Sequence, residues 1–396
     1  MRLLILSQYY TPEIGAAQAR LAALTRAMIR RGHEVEVVTA MPNYPVGRTL
    51  PGYRHRFYMR ESIDGAPVHR TWVYAAAGTG LGRIANYLSF ACTSLFGLFR
   101  ARRPDAIFVE SPPLFLAVPG WIVAKVRGCP LIFNVADLWP DAVRELGVIE
   151  GGPFLRAAES LEAWSYRRAT VINVVTDGIE RRLREHKRVP ASKLRYLPNG
   201  VDVERFAPRV RNATLAARLQ LDERPVFLYA GMHGIAQALD HLIAAAALVP
   251  EAVVLLVGAG TTKAALVALA RGQENVRFID PVQPDEMSEY FSLAHASVVP
   301  LVRCEGNIGA RPAKLFASLA CGVPVIYSGE GEGAAIVAEA GAGIVVPPED
   351  SHAIAQAMRR LMNDPAEREE MSRRAREVAV ERYAWPAILD RWLASL

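Results

Sequence analysis

The sequence predicts an α/β protein made of two parallel-sheet units. Strand and helix signals alternate from the first residues, the strands read as near-continuous apolar runs, and the pattern restarts after a turn-rich stretch near residue 200. In the first half, LLILS (3–7) is a strand. A helix follows over Ala16–Arg31, stopped by Gly32, and then the strand EVEVVTA (34–40). AIFVE (106–110), PLIFNVAD (130–137), TVINVVT (170–176) and LRYLPNG (194–200) continue the series. The second half opens with RPVFLYAGMHG (224–234), a strand entering a glycine-bearing loop, and a helix over Ala238–Val249. VVLLVGAG (253–260), VRFIDPV (276–282), ASVVPL (296–301), VPVIYSG (323–329) and AGIVVPP (342–348) complete it. PNGVDVERFAPR (198–209) suits a linker. The expected domains are therefore 1–205 and 206–382, facing each other across a cleft. A terminal aromatic-rich helix over 383–396 packs either on its own core or back on the first unit.

The 396 residues suffice for two sizeable cores, and 51% hydrophobic with 22% charged residues describes a globular chain. A net charge of +6 favours anionic partners such as phosphates, nucleotides or an anionic membrane face. No basic stripe interleaved with aromatics points to nucleic acid. Four scattered cysteines without a C-x-x-C pair suggest neither zinc nor a disulfide framework. No His, Asp or Glu spacing suggests a divalent metal, and the opening MRLLILSQYYTPE reads as a strand and loop rather than a cleaved leader. Ile84–Phe99, followed by Arg100, Arg102 and Arg103, is an apolar segment with a basic exit. It reads either as a core helix or as a helix lying in a membrane surface. A cytoplasmic location, with or without peripheral membrane contact, is the expectation.

Five stretches carry candidate chemistry. QYYTPEIGAAQAR (8–20) lies at the carboxyl end of the first strand, with Glu13 just before Gly15, where open α/β sheets bind ligands. AGMHGIAQALD (230–240) repeats the device with Gly231 and Gly234, and VGAG (257–260) adds Gly258. Gln237 and Lys263 fit the surface as readily as a ligand. In NVADLWPDAVRELG (134–147), Asp137 is a candidate acid or base at a strand end, and Asp141 could cap a helix. In RPAKLFASLACGVPVI (311–326), Pro312 suits the start of a short helix and Gly322 its end. Arg311 and Lys314 then fall where the helix dipole disfavours cations. An anion held at that tip would account for both.

These stretches together resemble the family 4 glycosyltransferases. The residues that carry the resemblance are YYTPEIGAAQAR, VESPPLF (109–115), NVADLWPD, PNGVD (198–202), YAGMHGIAQALD, RPAKLFASLACGVPVI and GEGEGAAIV (329–337). In detail the chain is similar to the bacterial polysaccharide enzymes of the fucosamine transferase type, the WbuB-like group. The resemblance implies the GT-B fold, a nucleotide-diphosphate sugar as donor, retention at the anomeric carbon, and no cofactor or essential metal. It places the donor mainly on the second unit and the acceptor, a glycan that could be lipid-linked, on the first. Arg311 and Lys314 would stabilise the leaving diphosphate, and Glu13 and Asp137 would orient or deprotonate the acceptor hydroxyl. Gly15, Ala16, Gly231, His233, Gly234, Gln237 and Gly258 would surround the donor.

Two departures from the family pattern stand out. Its E-x₇-E pair falls on Gly309 and Ala317, so both carboxylates are missing, and the Arg…Lys pair after the first strand of the second unit is absent. Glu305 and Glu332 are the candidates to replace a lost carboxylate. Transfer to a small-molecule acceptor, nucleotide-sugar epimerisation and non-catalytic nucleotide-sugar binding remain as alternatives.

Overall fold

The computed structural model describes residues 1–13, 15–44, 46–76, 80–141, 152–221, 223–283 and 285–396. The chain forms two compact units, Met1–Pro198 with Ile388–Leu396, and Asn199–Ala387.

The first unit runs β1 (Arg2–Leu6), α1 (Ala16–Arg30), β2 (Glu34–Ala40), β3 (Tyr58–Ile63), β4 (Ala66–Thr71), α2 (Leu81–Arg100), β5 (Ala106–Ser111), α3 (Ala117–Arg127), β6 (Leu131–Val135), α4 (Pro153–Arg168), β7 (Val171–Val174), α5 (Asp177–Glu185) and β8 (Leu194–Tyr196). Its sheet has the order β3-β4-β2-β1-β5-β6-β7-β8, parallel except for β3 against β4. The sequence reading passed over β3 and β4 because YMRESI is half exposed and offers no apolar run. The signal was the turn between them. Asp64 and Gly65 both have positive φ, the pair that a two-residue hairpin loop demands.

The reading of the strands as apolar runs also missed a polar row. Glu110, Asn134 and Asn173 are register partners across β5, β6 and β7, all buried. Paired residues in parallel strands share a face, and this face is served by α1 and the chain's last helix. Arg20 of α1 forms an ion pair with Glu110, whose other oxygen accepts from Asn134 Nδ2 at 3.0 Å. Trp392 Nε1 donates to Asn173 Oδ1 at 2.9 Å, and Asp390 pairs with Arg31 at 2.7 Å. The terminal residues 388–396 are thus part of the first unit.

The second unit contains α6 (Ala213–Arg218), β9 (Val226–Ala230), α7 (Leu239–Leu248), β10 (Val253–Val257), α8 (Lys263–Leu269), β11 (Val276–Ile279), α9 (Met287–Phe291), β12 (Ala296–Pro300), α10 (Glu305–Ile308), α11 (Ala313–Ala320), β13 (Val325–Ser328), α12 (Glu332–Ala340), β14 (Gly343–Val346), α13 (Ser351–Asn363) and α14 (Pro365–Val378). The last helix, α15 (Trp385–Ser395), leads back to the first unit. The sheet order β11-β10-β9-β12-β13-β14 is all parallel and reverses direction between β9 and β12. In the first unit the reversal falls between β1 and β5. Such switch points open a crevice beyond the strands' carboxyl ends, where ligands of this architecture bind.

Candidate functional site

In the second unit the switch point is lined by the loop after β9 and the segment between β12 and α11. Val302 N–H donates to Ala236 O at 3.1 Å, which ties the two together. Gly231 and Gly258 both have φ of +148°, a region that side chains rarely enter. A Cβ on Gly258 would strike the carbonyl of Gly231, and one on Gly231 would reach Cε of Lys314 at 2.9 Å. The expected closeness of these two turns is therefore met by glycine at both. Gly234 needs no such freedom, with φ of −122°. Its N–H is held by Gln237 Oε1 at 3.1 Å, so the Gln237 carbonyl oxygen braces the loop. Met232 and Ile235 stand exposed on the same loop.

The charges at the tip of α11 are arranged differently from the two-cation clamp that the sequence suggested. Pro312 is the residue before the helix, so Arg311 lies outside it and only Lys314 is in the first turn. Arg311 Nε donates to Glu332 Oε2 at 2.5 Å, with both side chains largely buried. Glu332 is the first residue of α12, where a carboxylate suits the dipole. Gly331, before it, has φ of +81° and packs so closely on the Ile308 carbonyl that a Cβ would collide with it. Lys314 turns inward instead. Its Nζ donates to Tyr229 OH at 2.8 Å, lies 4.3 Å from that ring's centre, and has no carboxylate partner among the described residues. Tyr229 OH in turn donates to Met232 O at 2.5 Å. Burial pulls the Lys314 ammonium down to about 7.

His233 is fully buried, packed on Tyr229 and Phe278 at 5.9 and 6.1 Å, and neither ring nitrogen has a partner. Burial, with Lys263 and Lys314 nearby, lowers it to about 4, so it is neutral at physiological pH. It forms the floor under Gly258 rather than an open ligand. Lys263 is engaged with Gly258 O at 3.0 Å and Asp280 at 2.7 Å. Gly309 ends α10 with φ of −88°, and Ala317 packs half buried against the core beside Cys321 and Val323. The side chains of Glu305 and Ala16 lie outside the described residues. Tyr229 escaped the sequence reading because a tyrosine inside an apolar strand looks like core. Its position opposite the lysine needed the fold.

The first unit's switch point shows the opposite condition. Glu13 is not an open carboxylate. Its Oε1 accepts from the backbone of Asn43 and Tyr44 at 2.8 Å each, and its Oε2 from Tyr10 at 3.3 Å. Burial raises its pKa while these three donors oppose the rise. It clips the loop after β1 to the loop after β2. Gly15 has φ of 174°, extended backbone that any residue can adopt, so its freedom is not what the loop uses. Gly15 and Ala16 do open α1 with no capping side chain, which leaves amide donors at that tip. Asp137 is exposed beyond β6, its Oδ1 accepting from Leu138 N–H at 2.8 Å. Asp141 is buried against Lys187 at 2.9 Å, and that ammonium also reaches Glu162 at 2.8 Å. A cluster the sequence reading did not find surrounds Arg83, which donates to Tyr9 OH and Tyr87 OH at 2.7 and 3.0 Å. Its guanidinium lies within 5.7 Å of the ring centres of Tyr9, Tyr44 and Tyr87.

Comparison with known proteins agrees with both halves of this architecture. Residues 15–200 match the glycosyl transferase 4-like domain, and residues 212–378 match the glycosyl transferases group 1 family. The chain belongs to the GT-B glycosyltransferases. This glycosyltransferase is 27% identical over 378 residues to WcaI of Escherichia coli K12, named for glycosyl transfer in colanic acid biosynthesis. The match takes in 91% of this chain and 92% of that protein. Among solved structures, the sucrose-phosphate synthase of Thermosynechococcus elongatus superposes with a TM-score of 0.74 at 20% identity, over 100% of this chain and 99% of the other. Anabaena HepE in complex with UDP-glucose superposes with a TM-score of 0.71 at 17% identity, over 100% of both chains.

Proposed function

We propose that this glycosyltransferase moves a sugar, with retention, from a nucleoside-diphosphate sugar to a hydroxyl of a lipid-linked glycan during polysaccharide or glycolipid assembly. The observation that carries the reading is Lys314: an ammonium drawn out of water at the switch point of the second unit, stacked on Tyr229, with no carboxylate among the described residues to neutralise it. A diphosphate supplies the missing charge. As the anomeric carbon–oxygen bond breaks, negative charge grows on the departing phosphate, and a fixed cation there lowers the barrier. Arg311, held by Glu332, assists at longer range. Retention brings the acceptor oxygen to the face the diphosphate leaves, so a phosphate oxygen takes the acceptor's proton as the new bond forms. That spares the protein a base, in keeping with a Glu13 carboxylate committed to backbone amides. Glu13 is thus a positioning residue, and Asp137, exposed beyond β6, is the carboxylate we assign to orient the acceptor.

The donor sits on the second unit and the acceptor on the first, where the Arg83–tyrosine cluster suits a phosphate-bearing acceptor. WcaI's name supports a polysaccharide setting. Pro312, Lys314 and the absent Arg…Lys pair after β9 support the fucosamine transferase type, with a hexose or N-acetylhexosamine as the sugar, and Ala317 departs from that pattern. We propose that transfer needs no metal; among the described residues no three His, Cys, Asp or Glu side chains converge. No described helix is long and apolar enough to cross a membrane, and we place the enzyme in the cytoplasm at the inner membrane face.

Thermal shift against UDP, GDP, TDP and their sugars tests the reading, because a ligand bound only by the folded state raises the melting temperature. The matched donor is then incubated with lipid-linked acceptors. Glycosylated product that resists EDTA is expected, and an altered sugar from donor alone would make the protein an epimerase. Gly309 and Ala317 motivate one other reading, a non-catalytic nucleotide-sugar binder, which would bind the donor and transfer nothing.

A further inference from the structure

Helix α2 is twenty residues long and buries Phe90, Ala91, Gly97 and Leu98 against the first sheet. Its opposite face, Leu81, Ala85, Leu88, Cys92, Phe96 and Phe99, is exposed and wholly apolar. These positions recur at helical spacing, and the helix contains no acidic residue. The sheet edge widens the stripe. Phe57 packs edge-on to Phe96 at 5.5 Å, and Trp72 N–H donates to Phe57 O at 2.8 Å. Phe57 is 55% exposed and Trp72 44%, with Tyr74 exposed beside them. Isolated exposed apolar residues need no explanation, but a contiguous band of large ones marks an interaction surface.

At the carboxyl end of this band lies a cavity of about 380 Å³ lined by Glu36, Tyr58, Arg60, His69, Arg100 and Arg102. The Arg100 guanidinium lies over the rings of Phe96 and Tyr58, 4.7 and 5.7 Å from their centres. Neither Arg100 nor Arg60 has a carboxylate partner among the described residues. His69, buried in the wall, bridges Tyr58 OH at 2.8 Å and Glu36 at 2.9 Å. Arg102 lies 3.6 Å from Glu34 and 3.8 Å from Glu36. The one lining carboxylate, Glu36, is therefore matched by Arg102 and His69, and two guanidiniums remain unmatched.

We propose that this band docks on an anionic lipid bilayer and that the Arg60–Arg100 pocket holds the phosphate of a lipid headgroup. Apolar and aromatic side chains that enter the interfacial layer, with cations at their margin, are the chemistry of a membrane-surface helix. Unmatched guanidiniums at the margin distinguish a phosphate-bearing surface from an apolar protein partner. The other end of the same helix reaches the first unit's switch point. Asn86 accepts from Gln8 Nε2 at 2.6 Å, and Arg83 lies in the tyrosine cluster. Twenty residues at 1.5 Å each separate the two ends by about 30 Å, so one element would carry both membrane contact and the approach of a lipid-linked substrate. The docking itself rests on surface chemistry alone and not on the transfer reaction.

The test is sedimentation of the full chain with vesicles of phosphatidylcholine, alone or mixed with equal phosphatidylglycerol. Binding only to the mixed vesicles, and weakening with salt, is expected. Arg60→Gln with Arg100→Gln should weaken it about fivefold per arginine. Leu88→Glu, at an exposed position, should abolish it, and each variant's melting temperature and nucleotide-induced shift should match the parent. Absence of vesicle binding, or equal binding to neutral vesicles, overturns the proposal. So does full competition by millimolar inorganic phosphate, which would make the pocket a soluble-anion site. A concentration-dependent dimer that Leu88→Glu dissociates would assign the band to a second copy of the chain instead. Because the nucleotide shift is read in the same samples, loss of docking is separable from loss of the donor site.

Discussion

The two switch points differ in how completely their charged groups are matched. In the first unit, Glu13 takes three backbone donors and Glu110 pairs with Arg20 and Asn134. In the second, Lys314 has among the described residues a phenol and a ring for its charge and no carboxylate. Both units also bury neutral polar atoms without partners: Gln8 Oε1, Asn134 Oδ1 and Asn173 Nδ2 in the first, both nitrogens of His233 and the hydroxyl of Tyr327 in the second. Buried polar groups are almost always paired in a finished fold. The first unit's buried carboxylates are therefore matched as they stand, while the second holds a cation that an anionic ligand would use. A carboxylate in a crevice is a sign of chemistry only if its oxygens are unspent.

The contrast breaks most visibly through the buried pair of the first unit. Glu110→Ala takes its carboxylate partner from the largely buried Arg20 guanidinium, and should cost about 3–5 kcal/mol of stability. Denaturant unfolding measures it, and a wild-type midpoint would show that the pair is not the brace we describe. Lys314→Ala should do the reverse. It removes an ammonium that burial disfavours, so stability without ligand should hold or rise. Nucleoside-diphosphate affinity should fall about tenfold to a hundredfold, as expected for a charge-assisted contact. Calorimetric titration reads the affinity, and an unchanged value would leave Lys314 without a function.

The same contrast explains what the sequence disclosed. The apolar strands of both sheets were readable because parallel strands covered on both faces need continuous apolar runs. The glycine turns at 231 and 258 were readable because only glycine suits that backbone. The hairpin β3–β4 was not, because a half-exposed edge strand carries mixed residues and its Asp64–Gly65 turn is brief. The polar row Glu110–Asn134–Asn173 was hidden because it exists only in the register between strands far apart in sequence. Arg311 and Lys314 were found as cations near one helix tip. Their partners, Glu332 and Tyr229, lie 21 and 85 residues away and were supplied by the fold.

A smaller effect sharpens the account of Lys314. Its folded value of about 7 lies below the ordinary 10.5. Between those values the unfolded chain holds the proton and the folded chain does not, so stability without ligand rises with pH through that window. A diphosphate beside Nζ favours the charged form and should draw a proton in as it binds. Titrations near pH 8.5 in buffers of different ionisation enthalpy should show uptake approaching one proton, absent in Lys314→Met. Affinity should strengthen as pH falls from 9 to 7, apart from any titration of the ligand itself. Equal proton uptake by parent and variant would assign the linkage to another group.

The smallest expected effect concerns Glu332, and it decides how the missing carboxylate of position 317 is made up. If Glu332 only holds Arg311, Glu332→Gln frees a positive charge, and inorganic pyrophosphate should bind more tightly. If the carboxylate also accepts ribose hydroxyls, the variant should lose UDP or GDP affinity, by about fivefold for one net hydrogen bond, while pyrophosphate gains. Opposite signs for the two ligands would therefore identify a ribose contact that a single titration would blur. Ala317→Glu is the companion. Ala317 packs beside Cys321 and Val323, so a carboxylate there must reach the ligand or be buried at a cost. Coupling between the two substitutions would show that they serve one hydroxyl pair. If Glu332→Gln changes neither ligand and Ala317→Glu creates transfer where the parent has none, the natural chain is the nucleotide-sugar binder.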